Sequence, residues 1–221
     1  VFGMSTCGEI FYDGQNEGIF MHSAVVSLVE ADQSAFSNSV FEIEDGDSLK
    51  LGEKIGHWGK NEFINPGFIL GVCGIATNGQ EVMEGIQKVC GNNTAIFGGV
   101  AGDDARFENT YVFDRKQILD KGAVVTVFDT DKIDIKGLAT SGWVGIGSDK
   151  LITRAEGNLV YTIDNEPALQ VYKDHLNISD EDLPEIGVEY PLLIKKDGRE
   201  ILRAVIGINK EEQSVMFAGT V

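Results

Sequence analysis

Long apolar runs are missing from this sequence. None approaches the ~18 residues that a membrane-spanning helix needs, and the opening VFGMST has neither the basic start nor the apolar middle of a secretory signal. A soluble cytoplasmic chain without a membrane partner is the expectation. Cysteine is scarce: Cys7, Cys73 and Cys90 form an odd set with no CxxC, which signals neither a disulfide framework nor a zinc site and fits a reducing compartment. Basic runs are absent too. With 18 Lys and Arg against 35 Asp and Glu, the net charge of −17 disfavours a nucleic acid partner. The glycine segment FGGVAGDD lacks both G-x-x-x-x-G-K-[ST] and G-x-G-x-x-G, so no nucleotide fingerprint is present.

What is abundant is glycine. The 27 glycines are spread between apolar runs, the pattern of many short strands joined by tight turns. GIFMHSAVVSLVE, from Gly18 to Glu30, reads as a long strand, and residues 32–47 as polar and irregular. Asp47 is a cap for a helix carrying Leu49, Ile55 and Trp58, although Gly52 and Gly56 weaken it. FILGVCGIA is a buried strand, and Asn78 caps a helix with Val82, Ile86 and Val89 on one face. Beyond AIFGGVAGDD the period changes to two, and TYVF, AVVTVFD, KIDIKGLAT, KLITRAEG and LVYTID predict an antiparallel meander. Pro167 opens a further helix, EPALQVYKDHL, and marks a boundary; strands around YPLLI, ILRAVIGI and SVMFAGTV follow. The predicted architecture is α+β, largely antiparallel sheet layers with packed helices.

The segment MSTCGEIFYDG, Met4 to Gly14, concentrates reactive side chains. As a nucleophile Cys7 needs a base, and His22, His57 and His175 are the imidazoles available. As a receiver of a ligand, the segment offers the hydroxyls of Ser5 and Thr6, close backbone approach at Gly8 and the carboxylate of Glu9. Asp103 or Asp104 could meet a cation, while the Gly99 amide, Arg106 or Arg154 could meet a carboxylate. Trp143, in SGWVGIG, either covers a ligand or closes the core. No metal site is expected, and the lack of CxxCH leaves haem neither indicated nor excluded.

With these segments in order, the chain resembles the FIST family of intracellular sensory domains. The family's opening motif reads approximately G-C-S-T-A-G-E-I, and GMSTCGEI from Gly3 to Ile10 matches it, with Met4 and Cys7 as departures. GGVAGDD followed by FENTYVF, then GAVV, GWVGIG, the LITRAEG segment, YPL and LRAV, are similar to the family's later motifs. Ser141 stands where the family often has a histidine before its G-W pair.

The resemblance implies residues 1–163 as a FIST N-terminal-like sensory domain lacking its first strand and helix, and 164–221 as the start of a C-terminal-like domain. It further implies a non-enzymatic sensor of small molecules such as amino acids, joined to an output domain or a partner kinase or cyclase. Ser5, Thr6, Glu9, Gly99, Asp103, Arg106 and Trp143 are the expected ligand contacts. A haem-binding nitric oxide sensor, or a cysteine hydrolase using Cys7, are the alternative readings.

Overall fold

The computed structural model describes residues 1–221 apart from 105, 107, 139, 140, 180–184 and 197. The chain divides into two compact units, Val1–Ala139 and Thr140–Val221, and the fold is α+β.

The first unit runs β1 (Phe2–Met4), β2 (Glu9–Tyr12), β3 (Glu17–Phe20), β4 (Phe36–Glu42), α1 (Ser48–Glu62), β5 (Pro66–Val72), α2 (Gly79–Cys90), β6 (Ile96–Val100), β7 (Val112–Asp114), β8 (Ile118–Leu119) and β9 (Gly122–Asp129). Its main sheet has the order β4-β9-β5-β6. β5 and β6 are parallel because α2 carries the chain over between them, and the other pairs are antiparallel. β5, PGFILGV, is buried at almost every position, as a central strand covered on both faces requires.

Both helices start where a side chain accepts an otherwise unpaired backbone N–H. Lys50 N donates to Asp47 Oδ1 at 2.9 Å, and Gln80 N donates to Asn78 Oδ1 at 3.1 Å. The helices cover one face of the sheet, burying Leu51, Ile55, Val82 and Ile86 against Phe41, Phe68, Leu70, Val125 and Val127. The glycines that weaken the helix in sequence sit where α1 meets α2. A Cβ at Gly52 would run into the Val82 carbonyl, and one at Gly85 into the Leu49 carbonyl. The other face is covered in part by a small antiparallel sheet, β1-β7-β8, which brings Met4, Val112 and Leu119 onto Cys73, Ala101 and Val124.

The second unit contains β10 (Ile152–Glu156), β11 (Leu159–Ile163), β12 (Glu166–Pro167), α3 (Ala168–Leu176), α4 (Glu185–Glu189), β13 (Leu192–Lys196), β14 (Arg199–Arg203), β15 (Val205–Asn209) and β16 (Ser214–Phe217). β10-β11-β16-β15 form one sheet, with β12 paired to β11, and β13 and β14 form a separate hairpin. α3 begins after Pro167, ends at Asn177 in the left-handed conformation, and packs Leu169, Val171 and Tyr172 onto Val160, Val205, Val215 and Phe217.

Three sequence expectations are corrected. Of GIFMHSAVVSLVE only the first residues are strand, within β3; from Met21 to Asp32 the chain is irregular, because no neighbouring strand accepts its hydrogen bonds. KIDIKGLAT is likewise not a strand over its described residues: its Ile135 and Gly137 lie across Gly67 and Phe97 rather than pairing in a ladder. The stretch 32–47, expected to be irregular, contains β4. Its alternation is dilute, since Ser37, Asn38 and Ser39 occupy positions that β9 supports through backbone pairing.

Candidate functional site

Past the end of β1 the chain makes three hydrogen bonds at one residue. Ser5 N donates to Tyr111 O at 2.8 Å, Tyr111 N donates to Ser5 Oγ at 2.9 Å, and Gly102 N donates to Ser5 O at 3.0 Å. The two segments singled out in the sequence, MSTCGEI and GGVAGDD, are therefore in direct contact. Gly102 allows it: a Cβ there would collide with Cys7 Sγ and lie 3.0 Å from Cys7 N. Met4 lies over Gly71 and Gly99, with its Cε 3.5 Å from where a Gly99 Cβ would stand.

Beyond this contact Glu9 organises a small polar group. Thr6 Oγ1 donates to Glu9 Oε1 at 2.6 Å, and Ser23 Oγ donates to Glu9 Oε2. These bonds, Ser23 first and Thr6 second, hold the Glu9 carboxyl below its ordinary pKa of 4.5. The hairpin turn at Asp13–Asn16, where Asp13 N donates to Asn16 O at 3.1 Å, returns the chain so that Glu9 pairs with Phe20, three residues before Ser23. Ser23 was not among the residues expected from the sequence. It lies 14 positions from Glu9, and only the β2–β3 hairpin brings the two together.

Asp103 serves the loop that follows β6. Its Oδ2 accepts from Glu108 N at 2.7 Å and Asn109 N at 3.3 Å, while its carbonyl accepts from Arg106 Nε at 3.1 Å. Arg106 also reaches Asp104 Oδ2 at 3.4 Å and keeps its side chain 65% exposed. The structure thus brings Ser5, Thr6 and Glu9 into one turn and sets that turn against the loop of Asp103 and Arg106. Trp143 and Arg154 belong to the second unit: Trp143 is exposed in an irregular stretch, and Arg154 stacks over the Tyr161 ring at 4.2 Å.

His22, His57 and His175 are exposed, and among the described residues no hydrogen bond joins any of them to Cys7. No group of three or more His, Cys, Asp and Glu able to hold a metal occurs among the described residues. None of their helices is long and apolar enough to cross a membrane. Two surface depressions, one around Val29 and Phe128 and the other around Arg154 and Tyr161, leave Ser5, Thr6, Glu9 and Asp103 outside.

The cysteines separate by environment. Cys7 is exposed, whereas burial pushes the Cys73 thiol up to about 11 and raises that of Cys90. Iodoacetamide at mildly alkaline pH is expected to label Cys7 in the folded protein and Cys73 only on denaturation, as read by peptide mass spectrometry. Equal labelling of Cys73 in the folded state would contradict the packing around β5.

Family comparison divides the chain at a single residue. The FIST N domain matches residues 1–166 and the FIST C domain residues 168–221. β10 and β11 fall in the first match, yet β11 pairs with β16, which lies in the second. Comparisons with curated proteins and with solved structures give no match. The two matches together take in nearly every residue of the chain, and the chain belongs to the FIST family, whose domains are sensory modules of signalling.

Proposed function

We propose that this chain binds a small polar molecule, an amino acid or a similar ammonium-bearing compound, and passes its occupancy to an output domain or a partner kinase or cyclase in the cytoplasm. The observation that carries the reading is the Glu9 carboxylate, held by the hydroxyls of Thr6 and Ser23 at the turn that touches the Asp103 loop. A carboxylate oriented by two donors and kept ionised is suited to an ammonium group. Arg106, largely exposed, is the cation offered to the ligand's carboxylate, and the Gly99 strand end borders the same loop. Ser5 and Asp103 act by positioning: one fastens the turn to Gly102 and Tyr111, the other shapes residues 103–109.

Signalling follows if the ligand prefers one arrangement of the β2–β3 hairpin against the loop, since only differential affinity shifts a population. A thermal-shift screen with standard amino acids tests this. A ligand at 100 times its Kd stabilises by about 2.7 kcal/mol, or about 5–10 °C for a domain of this size. Glu9→Gln is expected to abolish most of that shift. Because the Glu9 carboxyl is lowered, the ammonium grip should persist below pH 4.5 and fail only as pH falls through the folded value. An undiminished shift in Glu9→Gln would refute this placement.

A further inference from the structure

β10 and β11 pair with register shifts on both sides of Arg154, an irregularity that takes its side chain out of the ladder's plain alternation. Thr153 and Thr162 share a face, their hydroxyls 2.8 Å apart, while the Arg154 Cζ lies 4.2 Å from the centre of the Tyr161 ring. Arg154, Tyr161 and Thr162, with Pro167 of β12 and Glu212 of the turn before β16, line an open depression of 250 Å³. That is below the range of about 300–1,000 Å³ typical of drug-sized ligands, so its occupant is small.

Arg154 and Glu212 are the informative pair, because neither charge is neutralised within the protein. Among the described residues none forms an ion pair or a hydrogen bond with the Arg154 guanidinium, although the chain holds 35 Asp and Glu. A guanidinium held over a ring by its face keeps its edge N–H donors for a planar oxyanion, which they meet bidentately. Glu212 accepts one side-chain bond, from Asn209 Nδ2 to its Oε2 at 3.2 Å, and no described cation pairs with it. With one charge of each sign, the lining favours neither a simple anion nor a simple cation, since each would also approach a like charge. β11 separates β10 from β16 in the sheet, so the strands that carry the two groups stand about 10 Å apart, two strand spacings. A small molecule that satisfies both therefore carries its charges at opposite ends.

We propose that this depression in the second unit is a binding site for a short linear zwitterion with terminal charges, an ω-amino acid. Its carboxylate meets the edge of the Arg154 guanidinium, its ammonium meets Glu212, and the methylenes between them lie along Tyr161 and Pro167. The site is separate from the Glu9 group and requires nothing of that reading.

Amide chemical-shift titration of the full chain tests it with 6-aminohexanoate and its isomer norleucine, which differ in whether the ammonium sits at the far end or beside the carboxylate. 6-Aminohexanoate is expected to give saturable shifts centred on residues 153–155, 161–167 and 211–213. Norleucine, hexanoate and hexylamine should bind there more weakly by about tenfold or more, each leaving one charge unmet or misplaced. Arg154 and Glu212 are both exposed, so their substitution should leave the fold and the spectrum of the free protein largely unchanged. Arg154→Met should weaken 6-aminohexanoate by about tenfold. Glu212→Gln should weaken it by a similar factor and strengthen hexanoate, because the like charge is gone. Glu9→Gln, which removes the response to standard amino acids, should leave the 6-aminohexanoate response intact. Absent saturation, equal binding of norleucine at these residues, or undiminished binding by Arg154→Met would each overturn the proposal, as would shifts centred on Thr6 and Arg106.

Discussion

Phe68→Ala is expected to lower the unfolding free energy by about 3–5 kcal/mol, the cost of removing a fully buried aromatic ring from a core that cannot collapse around the gap. Phe68 is 0% exposed in the central strand β5, between Ile96 of β6 and Val127 of β9 in the ladder. Its ring meets α1 at Gly59, where a Cβ would strike the ring's Cζ and Cε1. The pair therefore tests itself. Gly59→Ala should destabilise the natural chain by about 1–3 kcal/mol through overpacking, and should be neutral or stabilising once Phe68 is alanine, because the ring no longer occupies the space. Urea midpoints of the two single variants and the double variant measure the coupling. Additive losses would mean that the helix does not rest on this ring.

The second large effect is at the crossing of α1 and α2. Gly85→Val should cost about 3 kcal/mol, since its Cβ would meet the Leu49 carbonyl and lie 2.8 Å from Glu53 N, both backbone groups that no rotamer change can move aside. Helix propensity alone makes the opposite prediction: a glycine inside a helix costs about 1 kcal/mol relative to alanine, so substitution should help if the helices were farther apart. Gly142→Ala, with nothing within 4 Å of the added methyl, is the matched control and should shift the midpoint little. A stabilised Gly85→Ala would show that the close crossing is wrong.

That conflict also explains why parts of the fold were legible in the sequence and others were not. The caps at Asp47 and Asn78 and the stripe of Val82 and Ile86 are local signals, and each appears where the spacing put it. Gly52 and Gly56 looked like weaknesses because a helix in isolation has no use for them; the partner helix supplies the use. The opposite error occurred in Gly18 to Glu30 and in KIDIKGLAT. Alternating apolar residues suit a strand, but a strand exists only where another strand receives its backbone N–H and C=O groups. Most of these residues found no such partner.

At the site, residues of the opening turn and of the glycine loop were expected to share a ligand; the structure sets the two segments in direct contact, which Gly102 permits by lacking a side chain. Ser5 and Asp103 were expected to face a ligand, yet their hydrogen bonds go to backbone N–H groups of Tyr111, Glu108 and Asn109, because a short polar side chain beside a turn meets local donors first. Ser23 carried no recognisable signal; it gains meaning from what the hairpin sets beside it.

The sequence by itself determined the family, the α+β class, the helix starts and the absence of a long apolar span, because these depend on order, caps and periodicity along the chain. Tertiary structure alone decided which strands pair, why glycine is needed between α1 and α2, and that Ser23 completes the Glu9 group. Those facts rest on distances between residues far apart in the chain, which periodicity and local composition do not encode.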